Sequence, residues 1–167
     1  MSRASRLAVA VLAVGGLGAT ENPCPAQFSL FGIGIGMTVE ELLRVHPDAT
    51  FKVSKYGAHE YHFRLKPPFA ELSIRSADVT VVVNRGRRVC QVLSTFSGSV
   101  PIGEVESYFS PTWGKQNIIT SHGGSGWAAD CGVILRSGTS SRGKATSLLL
   151  EWFAHERSEL TEVLACN

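Results

Sequence analysis

The sequence predicts an α+β fold, in which an antiparallel meander sheet is packed by short helices. Three observations support this: a helix-start motif at residues 36–47, strands of alternating apolar and polar residues after it, and a second stretch in which the same order recurs. We expect two tandem units of one helix and four strands, covering residues 27–97 and 98–167 and sharing one core. The alternative is a single sheet of six to eight strands with two helices and no duplication.

The amino terminus has the pattern of a secretory signal peptide. Arg3 and Arg6 precede an uncharged stretch at residues 7–17, which is shorter than the about 20 apolar residues that span a bilayer. We therefore expect residues 1–19 to be a cleavable signal, with Ala26 as the alternative cleavage position. A periplasmic or secreted protein follows from this interpretation.

The charge balance argues against a nucleic-acid partner. The chain has 16 basic and 14 acidic residues, and removal of Arg3 and Arg6 leaves 14 of each. Nucleic-acid binding depends on a clustered basic surface. The basic run at residues 85–88 surrounds a turn, so we interpret it as a solvated hairpin tip rather than a phosphate-binding patch. No second apolar run is long enough to be an integral membrane segment.

The first helix has the clearest local signal. Thr38 is placed to cap the helix and Glu41 to complete a capping box, while Met37 can pack on Leu42. Pro47 ends the helix after little more than two turns. Such a short helix is stable only when it packs on another element, which we expect to be the sheet that follows.

Strict alternation of apolar and polar residues predicts strands in the first half. Residues 60–65 and 70–75 form two such runs. A third strand, residues 79–83, turns at residues 84–87 into a fourth strand, residues 89–96.

The second half repeats this order. Residues 100–105 align with residues 37–42, and each helix is expected to stop near a proline, Pro47 or Pro111. Gly- and Ser-rich turns are expected at residues 122–126 and 137–143, and residues 158–165 can also form a helix. The strands are expected near residues 116–121, 127–136, 146–153 and 161–166.

The helix start Gly-Met-Thr-Val-Glu-Glu-Leu, followed by strands and an Asn-Arg-Gly-Arg hairpin, resembles the outer-membrane-assembly lipoprotein family and its relatives with a β-lactamase-inhibitor-protein-like fold. The match is close at residues 36–47 and loose at residues 78–96. The second half matches by element order, as in tandem β-lactamase inhibitor proteins. The resemblance carries no functional residue over, and it implies an extracytoplasmic module whose sheet surface binds another protein.

Four cysteines are candidates for disulfides. Cys24, Cys90, Cys131 and Cys166 are widely spaced and contain no Cys-x-x-Cys pair, so disulfides are favoured over zinc or thiol exchange. Three connectivities are open, of which we prefer Cys90 with Cys131 and Cys24 with Cys166.

Two clusters of polar residues contain the side chains of an enzyme or metal site. His122, Ser125 and Asp130 offer the members of a hydrolase triad, but they lie close together on a single loop and lack the glycine spacing of a nucleophile elbow. His59 and His62 should point to opposite faces of a strand and therefore not share a metal ion. We predict no catalytic or metal site and no cofactor.

All three tryptophans lie in the second half of the chain. Trp127, Trp152 and Tyr108 are the residues that we single out as a candidate binding patch, although core packing is the competing and favoured interpretation for tryptophans. A shared exposed sheet face for Trp127 and Trp152 would make that face the leading interaction site.

The function expected from the sequence is a non-enzymatic, protein-binding or envelope structural module. Its expected partner is another extracytoplasmic protein. The alternative is a small secreted hydrolase that uses His122, Ser125 and Asp130.

Overall fold

A computed structural model of the chain describes residues 28–66, 72–119, 125–129, 131–140, 144–152 and 166. These residues form two helices and ten strands, so the α+β class is confirmed. The helices are α1 (Val39–Val45) and α2 (Ile102–Trp113). The strands are β1 (Ser29–Leu30), β2 (Ile33–Gly34), β3 (Thr50–Val53), β4 (His59–Leu65), β5 (Ala77–Val83), β6 (Val89–Pro101), β7 (Ile118–Ile119), β8 (Ser125–Ala128), β9 (Val133–Ser140) and β10 (Lys144–Trp152).

Eight of the strands form one continuous antiparallel sheet. Their spatial order is β3-β4-β5-β6-β10-β9-β8-β7, and β1 and β2 form a separate hairpin. Strands β6 and β10 pair in the middle of the sheet, so strands from both halves of the chain share one ladder. Along the chain, each helix is followed by four strands of this sheet.

One face of the sheet carries the core. On β5, Ala77, Val79, Val81 and Val83 are buried, and the residues between them are exposed or half-buried. The same two-residue period recurs in β6, where Val92, Ser94 and Phe96 are buried, and is weaker in β4, where Phe63 is buried. This is the pattern of a sheet covered on one side. Helix α1 contributes Val39 and Leu42 to this core, and α2 contributes Val105, Phe109 and Trp113.

The predicted capping box at the start of α1 is confirmed. The backbone N–H of Glu41 donates to Thr38 Oγ1 at 3.2 Å, and the backbone N–H of Thr38 donates to Glu41 Oε2 at 2.8 Å. These bonds satisfy two donors that a helix start leaves open. They also lower the pKa of Glu41, chiefly through the backbone hydrogen bond at Thr38.

The strand predicted at residues 70–75 is wrong over the part that the structure describes. Leu72 and Ile74 are buried, but the N–H of Ile74 donates to the carbonyl of Leu72 at 2.6 Å, which is a tight turn. Ser73 between them donates its hydroxyl to Glu104 of α2 at 2.6 Å. The alternation there comes from a loop anchored to α2. The sheet instead contains a strand that the sequence did not predict, β3. Its four residues are all exposed, so it has no buried face.

Helix α2 is longer than predicted, because Pro111 lies inside it. The helix ends at Gly114, which has φ 76 and donates its N–H to the carbonyl of Ser110 at 2.9 Å. A glycine in this conformation terminates helices readily. The predicted strand at residues 127–136 is instead divided between β8 and β9, and the turn predicted from residue 137 lies partly within β9.

The hairpin between β5 and β6 has an exposed tip at residues 85–87, as expected, and is also docked on the start of α1. Arg87 forms an ion pair with Glu40 at 3.0 Å, and its carbonyl accepts from the N–H of Val39 at 3.1 Å. Arg88 donates to the carbonyl of Gly36 at 2.9 Å. The helix-start motif and the basic hairpin therefore pack against each other.

The preferred cysteine pairing is wrong. Cys90 is bonded to Cys166, with their Cα atoms 5.4 Å apart, and not to Cys131. Cys131 is also disulfide-bonded, and Cys24 lies outside the described residues. A disulfide between residues 76 positions apart is compatible with an extracytoplasmic protein.

Candidate functional site: the open face of the sheet

The sheet face opposite the core, which we call the open face, carries polar side chains around an apolar centre. Leu93 of β6 is 38% exposed, although its neighbours Val92 and Ser94 are fully buried on the core side. Leu149 of β10 lies directly opposite Leu93 in the antiparallel register.

The two leucines form the floor of a shallow depression of about 380 Å³. Arg136 lies across from Leu149 on β9, and Ser147 and Gly138 continue the lining toward the end of the strands. Ser147 Oγ fills the space beside Gly138, since a Cβ added at Gly138 would overlap with that oxygen. The floor is therefore apolar and the rim polar, which is the usual composition of a protein-binding surface.

A charged pair lies beside the depression. Arg136 Nη2 contacts Glu151 Oε1, and Gln91 donates to Glu151 Oε2 at 3.3 Å. The Glu151 side chain is 18% exposed, whereas 41% of the Arg136 side chain remains exposed. Arg136 therefore stays partly exposed while Glu151 holds its position.

The other half of the open face is mostly polar, with Val82 as an apolar, half-buried member. His62 Nε2 lies 2.9 Å from Glu60 Oε2, and its Nδ1 lies 3.2 Å from Thr80 Oγ1. One row further, Arg64 donates two hydrogen bonds to Asp78 at 2.7 and 3.0 Å. The hydrogen bond from Arg64 holds the pKa of Asp78 below its usual value.

Comparison with known proteins finds no matching family model, no matching curated sequence and no matching solved structure. The resemblance to the outer-membrane-assembly lipoprotein family therefore stays a prediction. Neither of the two described helices is long and apolar enough to cross a membrane.

Two of the three aromatic residues predicted as a binding patch, Trp127 and Tyr108, do not share a surface. Trp127 is fully buried, donates its indole N–H to the carbonyl of Gly114 at 3.2 Å and packs on Phe109. Core packing therefore accounts for Trp127. Tyr108 is 38% exposed on α2, away from the open face. Trp152 ends β10, and its side chain lies outside the described part of the chain.

The residues of the alternative hydrolase interpretation are only partly described. Ser125 is 2% exposed at the start of β8, and its hydroxyl donates to the Glu106 carboxylate of α2. Its backbone N–H donates to Ser137 Oγ at 2.9 Å, and its carbonyl accepts from the same hydroxyl at 3.0 Å. Ser125 thus ties α2 to the sheet. His122 and Asp130 lie outside the described residues.

Each of the described histidines contacts a different side chain. His59 packs its ring against Phe51, and His62 bonds to Glu60 on the open face. His46 follows α1 as its C-terminal cap and stacks on Phe63 with ring centroids 4.2 Å apart. His155 lies outside the described residues, among which no cluster of metal-binding side chains occurs.

Sequence reasoning missed Leu93 and Leu149 as surface residues. Each lies in a mostly apolar run, residues 89–96 and 148–150, where alternation does not reveal which side faces the core. The one available signal was the spacing of Gln91, Leu93 and Thr95, two polar positions that flank Leu93 on the same side of the strand.

Proposed function

We propose that the protein is an exported, non-enzymatic protein-binding module that uses the open face of its sheet. The observation that carries this proposal is the pair Leu93 and Leu149, two apolar side chains that meet at the centre of a polar sheet face with Leu93 38% exposed. Exposed apolar groups ringed by polar ones mark interaction sites.

The surroundings of the leucines support this interpretation. Arg136 is held beside the apolar floor by Glu151, which leaves two-fifths of its side chain exposed. Arginine is enriched among residues that dominate binding energy in interfaces. The partner surface expected from this chemistry presents an apolar side chain to the leucines and a hydrogen-bond acceptor to Arg136.

Two features support export and a tandem architecture. The Cys90–Cys166 disulfide is favoured in an oxidising compartment, in agreement with a signal at residues 1–19 and a periplasmic or secreted protein. The order of one helix and four strands occurs twice, and the two sets of strands meet at β6 and β10. We propose that residues 27–97 and 98–167 are repeated units that share this core.

Site-specific photo-crosslinking tests the binding proposal. A photoreactive amino acid at position 93 should give a discrete crosslinked product in the native extracytoplasmic fraction, whereas the same group at exposed Ser107 on α2 should not. The product at position 93 should disappear when Arg136 is replaced by glutamate. Equal products at both positions, or none at position 93, would contradict the proposal.

A further inference from the structure

The outer edge of β3 is a second surface with its own chemistry, separate from the open face. Strand β3 is the last strand on its side of the eight-stranded sheet. All four of its residues are exposed, including Phe51 at 51% and Val53 at 57%. Natural proteins limit pairing at such an edge with short strands, charges, prolines or bulges. Strand β3 has four residues with one charged side chain, Lys52, and carries two large apolar side chains, Phe51 and Val53.

The turn between β3 and β4 determines which backbone groups of β3 bond to β4 and which point outward. The N–H of Ser54 donates to the carbonyl of Ala58 at 2.8 Å, and Lys52 lies opposite Glu60 in the antiparallel register. Hydrogen-bonded pairs recur at every second residue of such a ladder. Lys52 and Thr50 therefore bond to β4, and the backbone N–H and C=O groups of Phe51 and Val53 point outward.

The side chains of this edge define what could be added to it. Phe51 packs on His59 and Tyr61 of β4 at centroid distances of 5.5 and 5.4 Å, on the core side of the sheet. Val53 belongs to the same face, since it lies two residues along the strand. Lys52 points to the other face. The Glu60 carboxylate opposite it is bound by His62 at 2.9 Å.

We propose that β3 adds an extended segment of a partner protein as a ninth strand, and that this segment has apolar residues on both sides of an acidic one. The apolar residues would lie beside Phe51 and Val53, and the acidic residue opposite Lys52. Strand addition of this kind combines main-chain hydrogen bonds with selection by alternate side chains. This surface is independent of the open face.

A second copy of the chain fits this edge poorly. The symmetric register that pairs Phe51 with Val53 of the other copy places Lys52 opposite Lys52, and like charges directly opposite each other are unfavourable. A register centred on Phe51 uses Ala49, whose N–H already donates to His46. A register centred on Val53 runs into the turn that begins at Ser54.

The test uses the full oxidised chain and two capped probe peptides. The first is Thr-Val-Glu-Val-Glu-Thr, whose Val-Glu-Val segment reads the same in both strand directions, and the second has lysine at both glutamate positions. Titration followed by amide NMR shifts should place the response to the acidic peptide at residues 50–54. The basic peptide should bind about fivefold more weakly, because its lysine lies opposite Lys52.

Two variants separate strand addition from general adhesion. Lys52→Glu should reverse the preference between the two peptides. Val53→Pro removes one outward N–H without touching the β4 ladder and should abolish binding, whereas Val53→Thr keeps that N–H and should bind. Amide spectra of the remaining strands check that each variant is folded.

Four outcomes would overturn the proposal. These are shifts that occur elsewhere on the protein or not at all, an unchanged preference in Lys52→Glu, slow hydrogen exchange of the Phe51 and Val53 amides in the free chain, and concentration-dependent shifts of these amides without peptide. The third outcome means that the chain covers its own edge, and the fourth that a second copy does.

Discussion

Replacing Ser94 by alanine should stabilise the protein, and replacing Ser137 by alanine should destabilise it. Both serines are buried on the core side of the sheet, at 0% and 3% exposure. Both lie beside Leu148 of β10, Ser94 on β6 and Ser137 on β9. The two positions therefore differ mainly in hydrogen bonding.

The Ser94 hydroxyl has no hydrogen-bond partner among the described residues. A buried hydroxyl without a partner is unfavourable by about 1 to 3 kcal/mol. Alanine removes that polar atom and leaves only a small void, so we expect the free energy of unfolding to rise by about 1 kcal/mol.

The Ser137 hydroxyl accepts from the N–H of Ser125 at 2.9 Å and donates to the carbonyl of Ser125 at 3.0 Å. Alanine leaves both backbone groups buried without this partner. At about 1 kcal/mol for each hydrogen bond, the expected loss is about 2 kcal/mol.

Urea unfolding measures the contrast, with the far-UV signal as the readout. For a slope of about 2 kcal/mol per molar urea, the midpoint should rise by about 0.5 M in Ser94→Ala and fall by about 1 M in Ser137→Ala. Unchanged slopes show that both variants unfold in the same way. A lower midpoint in Ser94→Ala, or equal shifts in the two variants, would refute the packing described for this row.

Three further predictions concern local features. Thr38→Ala should lower the free energy of unfolding by about 1 kcal/mol in urea unfolding, because the capping box is lost. The pKa of Glu41 is lowered in the folded state, so its ionised carboxylate stabilises the fold above the ordinary carboxyl pKa, and this stabilisation is lost as pH falls through the folded-state pKa. Glu41→Gln should therefore reduce the loss of stability in acid, measured as a pH series of unfolding curves. Gly126→Ala should lower the thermal midpoint, because a Cβ there would lie 2.9 Å from Ile118 Cβ, whereas Gly103→Ala in α2, with open space around it, should raise the midpoint; equal effects would contradict the close approach.

Local signals in the sequence were sufficient for α1, since capping depends on residues three apart. They were also sufficient for β4, which alternates in sequence around buried Phe63, and for β5, which was predicted from its apolar residues and alternates in burial. They failed for β3, an edge strand with no buried face, and for residues 72–75, where a loop held by Glu104 alternates like a strand. In both places, contacts distant in sequence decide the structure.

The candidate site was harder to predict for the same reason. Leu93 and Leu149 become neighbours only through the pairing of β6 with β10, which joins residues 56 positions apart. The partner of Cys90 likewise depends on long-range geometry, and spacing alone left three connectivities open. Trp127, which is prominent in the sequence, is buried against α2.

Solvent exposure of the leucine methyl groups tests most directly that the sheet has one buried and one open face. Leu148 and Leu149 are adjacent in sequence on β10, and Leu148 is fully buried. A soluble paramagnetic agent should broaden the methyl signals of Leu149 and Leu93 and leave those of Leu148 sharp. Equal protection of Leu148 and Leu149 would show that the proposed binding face is covered, which contradicts a sheet with one buried and one open face.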